Sequence, residues 1–339
     1  MSGRTRIGSI GLAVAVVLGL GLYLSVLKQP GKYTGPVERI VLGAETVAHS
    51  SPVWIAESKG YFIEEGLNVE IREFESGRTA LRTMLNMGGV DIATAAQTPV
   101  ISNSFNRNDY AIIGGMVYSD NDAKMLARKD RGISAPANLK GKTVGITAGS
   151  SGHFFLGIFL AYYGLQISDV KTIDMEATRL SQALIEGQVD AIATWEPHIY
   201  NAKKVLGNKA LLLPGGGIYR EDFYFIARKD FIKNNSEALK RFLRAIEKGE
   251  AFIMKNRKEA IDIVGQRLKM DREMLNATWD DFLFTLFLDQ SILTSLEDEA
   301  RWAISNRLTD ASKAPNYLDY IYPDALEAVK PGAVTIAGK

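Results

Sequence analysis

The chain has 339 residues, of which 46% are hydrophobic, and a formal net charge of +1. Its length allows two lobes with separate hydrophobic cores. The near-neutral charge argues against a nucleic-acid-binding protein, which would carry a basic excess. The absence of cysteine excludes disulfides, thiolate metal sites and cysteine nucleophiles.

The first predicted element is an apolar segment that is typical of an export signal. Arg4 and Arg6 precede an uncharged run over residues 7–27, and Lys28 closes it. The run is long enough to span a bilayer, and no small-x-small cleavage site follows it cleanly. We therefore expect residues 1–28 to form an uncleaved membrane anchor, with a cleaved signal peptide as the alternative. Residues 29–37 contain prolines and glycines and are predicted to be a linker.

Strands and helices then alternate along the chain. In a first unit we predict strands at 39–42, 67–74, 90–95 and 110–117, and helices at 53–59 and 79–87. In a second unit we predict strands at 143–147, 170–175, 191–195 and 210–213, and helices at 153–163 and 177–186. Further helices are predicted at 236–255, 258–268, 272–288 and 296–306. This order indicates an α/β fold in which each unit is a mainly parallel sheet flanked by helices.

The two units predict two lobes joined by crossing segments near residues 123–128 and 223–227. The first lobe would be discontinuous, comprising residues 38–124 and 226–330, and the second lobe would be continuous over residues 125–225. Residues 331–339 would form a C-terminal tail. A cleft between two such lobes, near the C-terminal ends of strands, is a usual place for a small ligand.

The segment over residues 139–165, LKGKTVGITAGSSGHFFLGIFLAYYGL, reads as strand, small-residue loop and apolar helix. The loop leaves the first backbone N–H groups of the helix open, and the positive end of the helix dipole favours an anion there. Ser150 and Ser151 add hydroxyl groups at the same place. The alternative is an ordinary helix cap. An acidic residue at Gly152 should then be tolerated for folding, because acidic residues suit a helix start.

Four segments resemble one protein family. They are WIAESKGYFIEEGLNVEI at 54–71, GVDIATA at 89–95, the segment at 139–165, and LIEGQVDAIATWEP at 184–197. In this order they resemble the substrate-binding proteins of ABC importers for nitrate, sulfonates, taurine and thiamine precursors. The resemblance implies a two-lobed periplasmic-binding-protein fold of type II that closes over a ligand and delivers it to a membrane permease. Within the family, GSSGHFF at 149–155 is similar to the sulfonate and taurine branch, where this helix start holds the anionic head of the ligand.

The candidate ligand-binding residues follow presumed strand ends or lie in the small-residue loop. They are His49, Ser50, Ser51, Ser76, Gly77, Gln97, Thr98, Ser119, Gly149, Ser150, Ser151, Gly152, His153, Trp195, Glu196 and Tyr219. Gln97 offers both a donor and an acceptor, Trp195 a flat apolar wall and a donor, and Glu196 a partner for a ligand amine. The alternatives are turns, caps and a structural tryptophan.

We therefore expect a binding protein without a cofactor, and not an enzyme. It would capture a small anionic organic solute outside the cytoplasmic membrane and act as a monomer with an ABC permease as its partner. No nucleic-acid partner is expected. The separations of His49, His153 and His198 fit no metal-ligand spacing. Two alternatives stay open: a membrane-tethered ligand sensor, and an enzyme of the thiamine-pyrimidine synthase type, which uses a cysteine-rich segment that this chain lacks.

Overall fold

The computed structural model describes residues 33–337. The predicted anchor over residues 1–28, and residues 29–32 of the predicted linker, lie outside the described residues. Residues from Val37 onward form one structural unit that contains every element described below. Within residues 33–337, no helix is both long and apolar enough to cross a membrane.

Eleven strands form two sheets in the described part of the chain. The strands are β1 Glu38–Glu45, β2 Leu67–Phe74, β3 Ile92–Ala96, β4 Tyr110–Ser119, β5 Lys124–Arg128, β6 Thr143–Ile146, β7 Lys171–Asp174, β8 Ala191–Thr194, β9 Ala210–Leu213, β10 Glu221–Arg228 and β11 Phe282–Phe287. The first sheet has the order β11-β4-β10-β3-β1-β2, and the second has the order β7-β6-β8-β5-β9. We call the elements packed on the first sheet the first lobe and those packed on the second sheet the second lobe.

Helices flank both sheets. Those of the first lobe are α1 Ser51–Ser58, α2 Tyr61–Glu64, α3 Gly77–Arg82, α4 Gln97–Ser104, α8 Lys229–Asn234, α9 Ser236–Lys255, α10 Arg257–Leu268, α11 Arg272–Thr278, α12 Gln290–Ser305 and α13 Asp324–Val329. Those of the second lobe are α5 Ser151–Tyr162, α6 Ala177–Glu186 and α7 His198–Leu206.

The hydrophobic cores follow the strand periodicity. In the second lobe, Met125 and Ala127 of β5 join the cluster that includes Phe155 of α5, whereas Leu126 joins the cluster that includes Leu180 of α6. Successive residues of a strand point to opposite faces of the sheet, so the two helical layers cover opposite faces. One larger cluster underlies the first sheet.

The direction of the strands determines what reaches the cleft between the lobes. Strand β3 is parallel to β1, and β10 is antiparallel to both β3 and β4. Glu221, the first residue of β10, therefore pairs with Ser119, the last residue of β4. In the second sheet β5 is antiparallel to β8, so Lys124 pairs with Thr194. Residues at the start of β5 and β10 therefore lie at the same edge as residues at the end of their neighbours.

Two sequence expectations differ from this arrangement. The helix predicted over 272–288 ends at Thr278, and Phe282–Phe287 is strand β11 on the edge of the first sheet. Its sequence FLFTLF is rich in aromatic residues, which favour strands. The crossing predicted at 223–227 falls inside β10, so the chain has returned to the first sheet before Glu221.

Candidate functional site

The two lobes enclose a small cavity at the strand ends, which we call the inner cavity. Its volume is about 20 Å³, and both lobes contribute to its wall. A space of this size holds about one water molecule. The lobes are therefore closed on each other in this structure. The side chains that determine its chemistry are Glu45, His49, Asp122, Ser151, Trp195, Glu221 and Phe223.

Carboxylates dominate the inner cavity. Glu45, Asp122 and Glu221 are all buried in its wall. His49 lies between two of them, with Nε2 3.2 Å from Glu45 Oε2 and Nδ1 3.9 Å from Asp122 Oδ2. The imidazole stacks on the Phe223 ring with a centroid distance of 3.8 Å. One imidazole thus separates Glu45 from Asp122.

Burial governs the protonation of these groups. It raises the pKa of Asp122 to about 7, an effect that His49 and Lys124 partly oppose. It also raises the pKa of Glu221 well above its usual range, and the nearby Asp122 charge adds to the increase. Both effects arise because a buried carboxylate loses its hydration and repels its neighbours.

Several polar atoms of this wall make no hydrogen bond with any described residue. They include both carboxylate oxygens of Asp122, Oε2 of Glu221 and Nε1 of Trp195. Buried polar atoms are usually paired, and leaving one unpaired costs about 1–3 kcal/mol. The inner cavity therefore presents acceptors and one donor whose partners must come from outside the protein chain.

The start of α5 does not have the environment that its sequence predicted. The Ser150 hydroxyl donates to the Thr147 carbonyl oxygen at 2.7 Å. The Ser151 hydroxyl hydrogen-bonds to the Glu221 carboxylate. A carboxylate from β10 therefore already contacts the helix start, and the surrounding charge is negative. The expectation of an anionic ligand group at this place is wrong, because the sequence did not reveal that Glu221 folds back to the helix.

The glycines of the predicted site serve close packing. A Cβ on Gly152 would lie 2.6 Å from the Ala193 carbonyl oxygen of β8. A Cβ on Gly77 would lie 2.6 Å from the Ala95 Cα of β3. Both glycines allow a helix start to approach a strand. The expectation that an acidic residue at Gly152 would be tolerated is therefore wrong. Gly77 also lines the inner cavity, beside Ser76, whose hydroxyl accepts from the Thr79 N–H and caps α3.

A larger outer pocket of about 770 Å³ adjoins the inner cavity at Ser150, which lines both. Thr98, Gly149 and His153 line this outer pocket, as do Glu299 and Trp302 of α12. Burial lowers the pKa of His153 and raises that of Glu299 to about 8. The outer pocket thus also carries a buried carboxyl group and no Lys or Arg side chain among the residues lining it.

Glu196 lies on the opposite side of the cleft, outside the inner cavity. It forms an ion pair with Lys124 at 3.1 Å, and Lys124 also reaches Asp281 of the first lobe at 3.0 Å. The Glu196 carboxylate also accepts a hydrogen bond from the Tyr200 N–H. Its partners are therefore protein groups, and the structure gives it a role in joining the lobes.

The remaining predicted residues do not line the inner cavity. Gln97 accepts from the Asp222 N–H at 2.9 Å, and Ser119 accepts from the Asn121 N–H at 3.0 Å. Ser51 donates to the Ala48 carbonyl oxygen. Tyr219 packs on Phe154, and Ser50 is fully buried.

Sequence reasoning missed four residues of the inner cavity. They are Glu45, Asp122, Glu221 and Phe223. Glu45 ends β1 and could have been found by the same strand-end argument that selected His49. Glu221 and Phe223 lie on a strand that the sequence assigned to the second lobe, and no local pattern marks their return to the first sheet. Among residues 33–337, no group of three or more His, Asp or Glu side chains is arranged to hold a metal ion.

Further contacts between the lobes surround the site. Arg78 of α3 donates to the Ala148 carbonyl oxygen at 2.6 Å. Lys204 of α7 pairs with Asp271 at 2.7 Å. Trp302 of α12 packs on the aromatic residues at the start of α5. These contacts hold the lobes together on three sides of the cleft.

Comparison with known proteins identifies the family. Residues 48–260 match the family model described as NMT1/THI5 like. The chain belongs to the NMT1/THI5-like family. This confirms the relationship that the four sequence segments predicted.

The relatives include binding proteins and an enzyme. A protein of Brucella abortus described as a binding protein is 28% identical over 224 residues, which are 65% of this chain and 68% of the relative. The taurine-binding periplasmic protein of Escherichia coli is 24% identical over 216 residues, covering 61% of this chain and 66% of the relative. The 4-amino-5-hydroxymethyl-2-methylpyrimidine phosphate synthase of Aspergillus parasiticus is 24% identical over 220 residues, covering 61% and 63%.

The solved structures show the fold. The alkanesulfonate-binding protein of Xanthomonas axonopodis pv. citri, bound to MOPS, has a TM-score of 0.75 at 18% identity. The match covers 86% of this chain and 100% of that chain. The predicted two-lobed periplasmic-binding-protein fold is thereby confirmed.

Proposed function

We propose that this protein is the solute-binding component of an ABC importer and works outside the cytoplasmic membrane. The observation that supports the proposal best is the inner cavity, which lies between two lobes and contains buried polar atoms without protein partners. The fold and the binding-protein relatives support the same function.

The proposed cycle is capture by closure. Residues from both lobes, such as Glu45 and Trp195, reach the ligand together only when the lobes are closed. A solute that contacts both therefore favours the closed form over the open form. The permease would receive the solute from the closed form. The apolar run over residues 7–27 would hold the protein at the membrane.

A binding role is proposed over catalysis on the composition of the site. His49 faces two carboxylates and no serine hydroxyl, so it has no nucleophile to activate. The synthase relative keeps an enzymatic role in view. The resemblance to binding proteins for sulfonates, taurine, nitrate and thiamine precursors points to a solute of that size, whose charge is considered below.

The test is binding of a natural solute. The purified chain is incubated with a metabolite extract, and the bound solute is released and identified by mass spectrometry. That solute should raise the melting temperature, because a ligand that binds only the folded state stabilises it. Cells that lack the protein should take up less of the same solute. The proposal is refuted if no solute is retained and uptake is unchanged.

A further inference from the structure

We propose that the inner cavity recognises a positively charged N–H head group, an ammonium or amidinium group, on a small organic solute. The inference rests on the proposed solute-binding function and adds the chemical class of the ligand. It differs from the anionic class that the sequence predicted.

The first argument is the balance of charge in the wall. Three carboxylates, from Glu45, Asp122 and Glu221, face the cavity. The basic side chains there are His49 and Arg78. His49 already lies between Glu45 and Asp122.

Arg78 is also engaged with protein groups. Its guanidinium donates to the Ala148 carbonyl oxygen at 2.6 Å and approaches the Glu176 carboxylate at 3.5 Å. Nearby Lys124 is held by Glu196 and Asp281. The local cations are therefore committed to protein partners, while the carboxylates of the cavity exceed them in number.

The second argument concerns hydrogen bonds. Asp122 is 2% exposed and Glu221 is 1% exposed, yet three of their four carboxylate oxygens have no hydrogen-bond partner among the described residues. These oxygens accept hydrogen bonds and, when ionised, cannot donate them. An ammonium group offers three N–H donors, and an amidinium group offers a planar set of donors to a carboxylate. A sulfonate or nitrate offers acceptors only.

Trp195 provides an independent observation. Its side chain is buried in the same wall, and its Nε1 donor has no partner among the described residues. An indole ring that lines a cavity attracts a cation over its face. The ring also needs an acceptor for its N–H. A solute with a cationic head and an adjacent acceptor atom would satisfy both the carboxylates and the indole.

The available space shows how such a solute would enter. The inner cavity has room for about one water molecule, so a head group can enter only when the lobes separate. The outer pocket of about 770 Å³ meets the inner cavity at Ser150 and can accept the rest of the solute.

The first experiment compares charges on identical skeletons. Melting temperatures are measured at pH 7.5 with ethylammonium against ethanesulfonate, with benzylammonium against phenylmethanesulfonate, and with taurine. The solute recovered from the metabolite extract is added to the series. We expect stabilisation by an ammonium compound and none by its sulfonate partner, and we expect the recovered solute to carry a protonated nitrogen.

The second experiment locates the head group. Asp122→Asn and Glu221→Gln each remove one negative charge from the inner cavity. Each should weaken binding of the stabilising cation at least tenfold, measured by calorimetry. Glu299→Gln is the matched control, because Glu299 is equally buried but lines the outer pocket. It should leave the affinity unchanged.

Melting of the ligand-free variants separates recognition from folding. Asp122→Asn and Glu221→Gln should melt no lower than the wild type, because each replaces a buried carboxylate that lacks a full set of partners. If one variant does not fold, the other still decides the question. Stabilisation by sulfonates alone, an anionic or neutral recovered solute, or wild-type affinity in a folded variant would overturn the inference and leave the solute-binding function standing. Failure to retain any solute would instead refute the proposed function.

Discussion

Trp302 and Gly157 form an apolar contact between the lobes that can be tested by paired substitutions. Trp302 belongs to α12 of the first lobe, but its ring packs edge-on against Phe154 and His153 of α5, at centroid distances of 5.0 and 5.7 Å. Gly157, in the middle of α5, allows this approach. A Cβ at that position would overlap the indole, with Cε2 only 2.7 Å away.

Two opposing effects determine the result of Gly157→Ala. Replacing a glycine by alanine inside a helix stabilises the helix by about 0.5–1 kcal/mol. Overlap with a packed side chain costs about 1–3 kcal/mol. We therefore expect Gly157→Ala to lower the free energy of unfolding by about 1–2 kcal/mol in the wild-type chain. In a Trp302→Ala background the overlap is gone, so the same substitution should raise stability by about 0.5–1 kcal/mol.

Urea denaturation of the four proteins measures this change of sign. The coupling between the two positions should be about 1.5–3 kcal/mol, within the range found for residues in direct contact. Small-angle scattering of ligand-free Trp302→Ala should also show a larger radius of gyration, because two aromatic contacts that favour closure are lost. An equal effect of Gly157→Ala in both backgrounds would refute the proposed contact between the lobes.

Three further predictions use the same measurements. Gly152→Asp should destabilise the fold by about 1–3 kcal/mol in urea denaturation, because its Cβ would lie 2.6 Å from the Ala193 carbonyl oxygen; wild-type stability would contradict this. Lys124→Met should cost about 3 kcal/mol, because it leaves buried carboxylates without a counter-charge, whereas Lys204→Met, at an exposed ion pair, should change stability little. Burial raises the pKa of Glu299 to about 8, so the folded protein holds a proton that the unfolded chain has lost; stability should fall as pH rises from 7 to 8, and Glu299→Gln should reduce that slope.

The parts of the fold that local patterns determine were predicted from the sequence. Strand β6, the loop at Gly149 and helix α5 are adjacent in the chain, and their small-residue loop and apolar helix are visible in one segment. Trp195 follows β8 and lines the inner cavity, as a strand-end position predicts. In both cases the side chain and the element that positions it are close in sequence.

The chemistry of the inner cavity depends instead on distant segments. Glu45, Asp122 and Glu221 meet only because β10 inserts antiparallel between β3 and β4. Pairing between strands far apart in the chain leaves no local periodic signal. The short apolar run at Phe282–Phe287 posed a related problem, because such a run fits a buried helix as well as a strand. Its neighbour β4, which is far away in the chain, decides the outcome.

The same unpartnered groups provide a reason for closure to depend on a ligand. In the closed form, Asp122 and Glu221 are buried with oxygens that lack partners, at a cost of about 1–3 kcal/mol for each group. The Trp302 ring opposes this with two aromatic contacts of about 0.5–1.5 kcal/mol each. These opposing terms are similar in size, so neither form is strongly favoured without a ligand. A solute that donates hydrogen bonds to Asp122 and Glu221 removes the cost only where the lobes are closed, and this difference is what allows binding to shift the equilibrium.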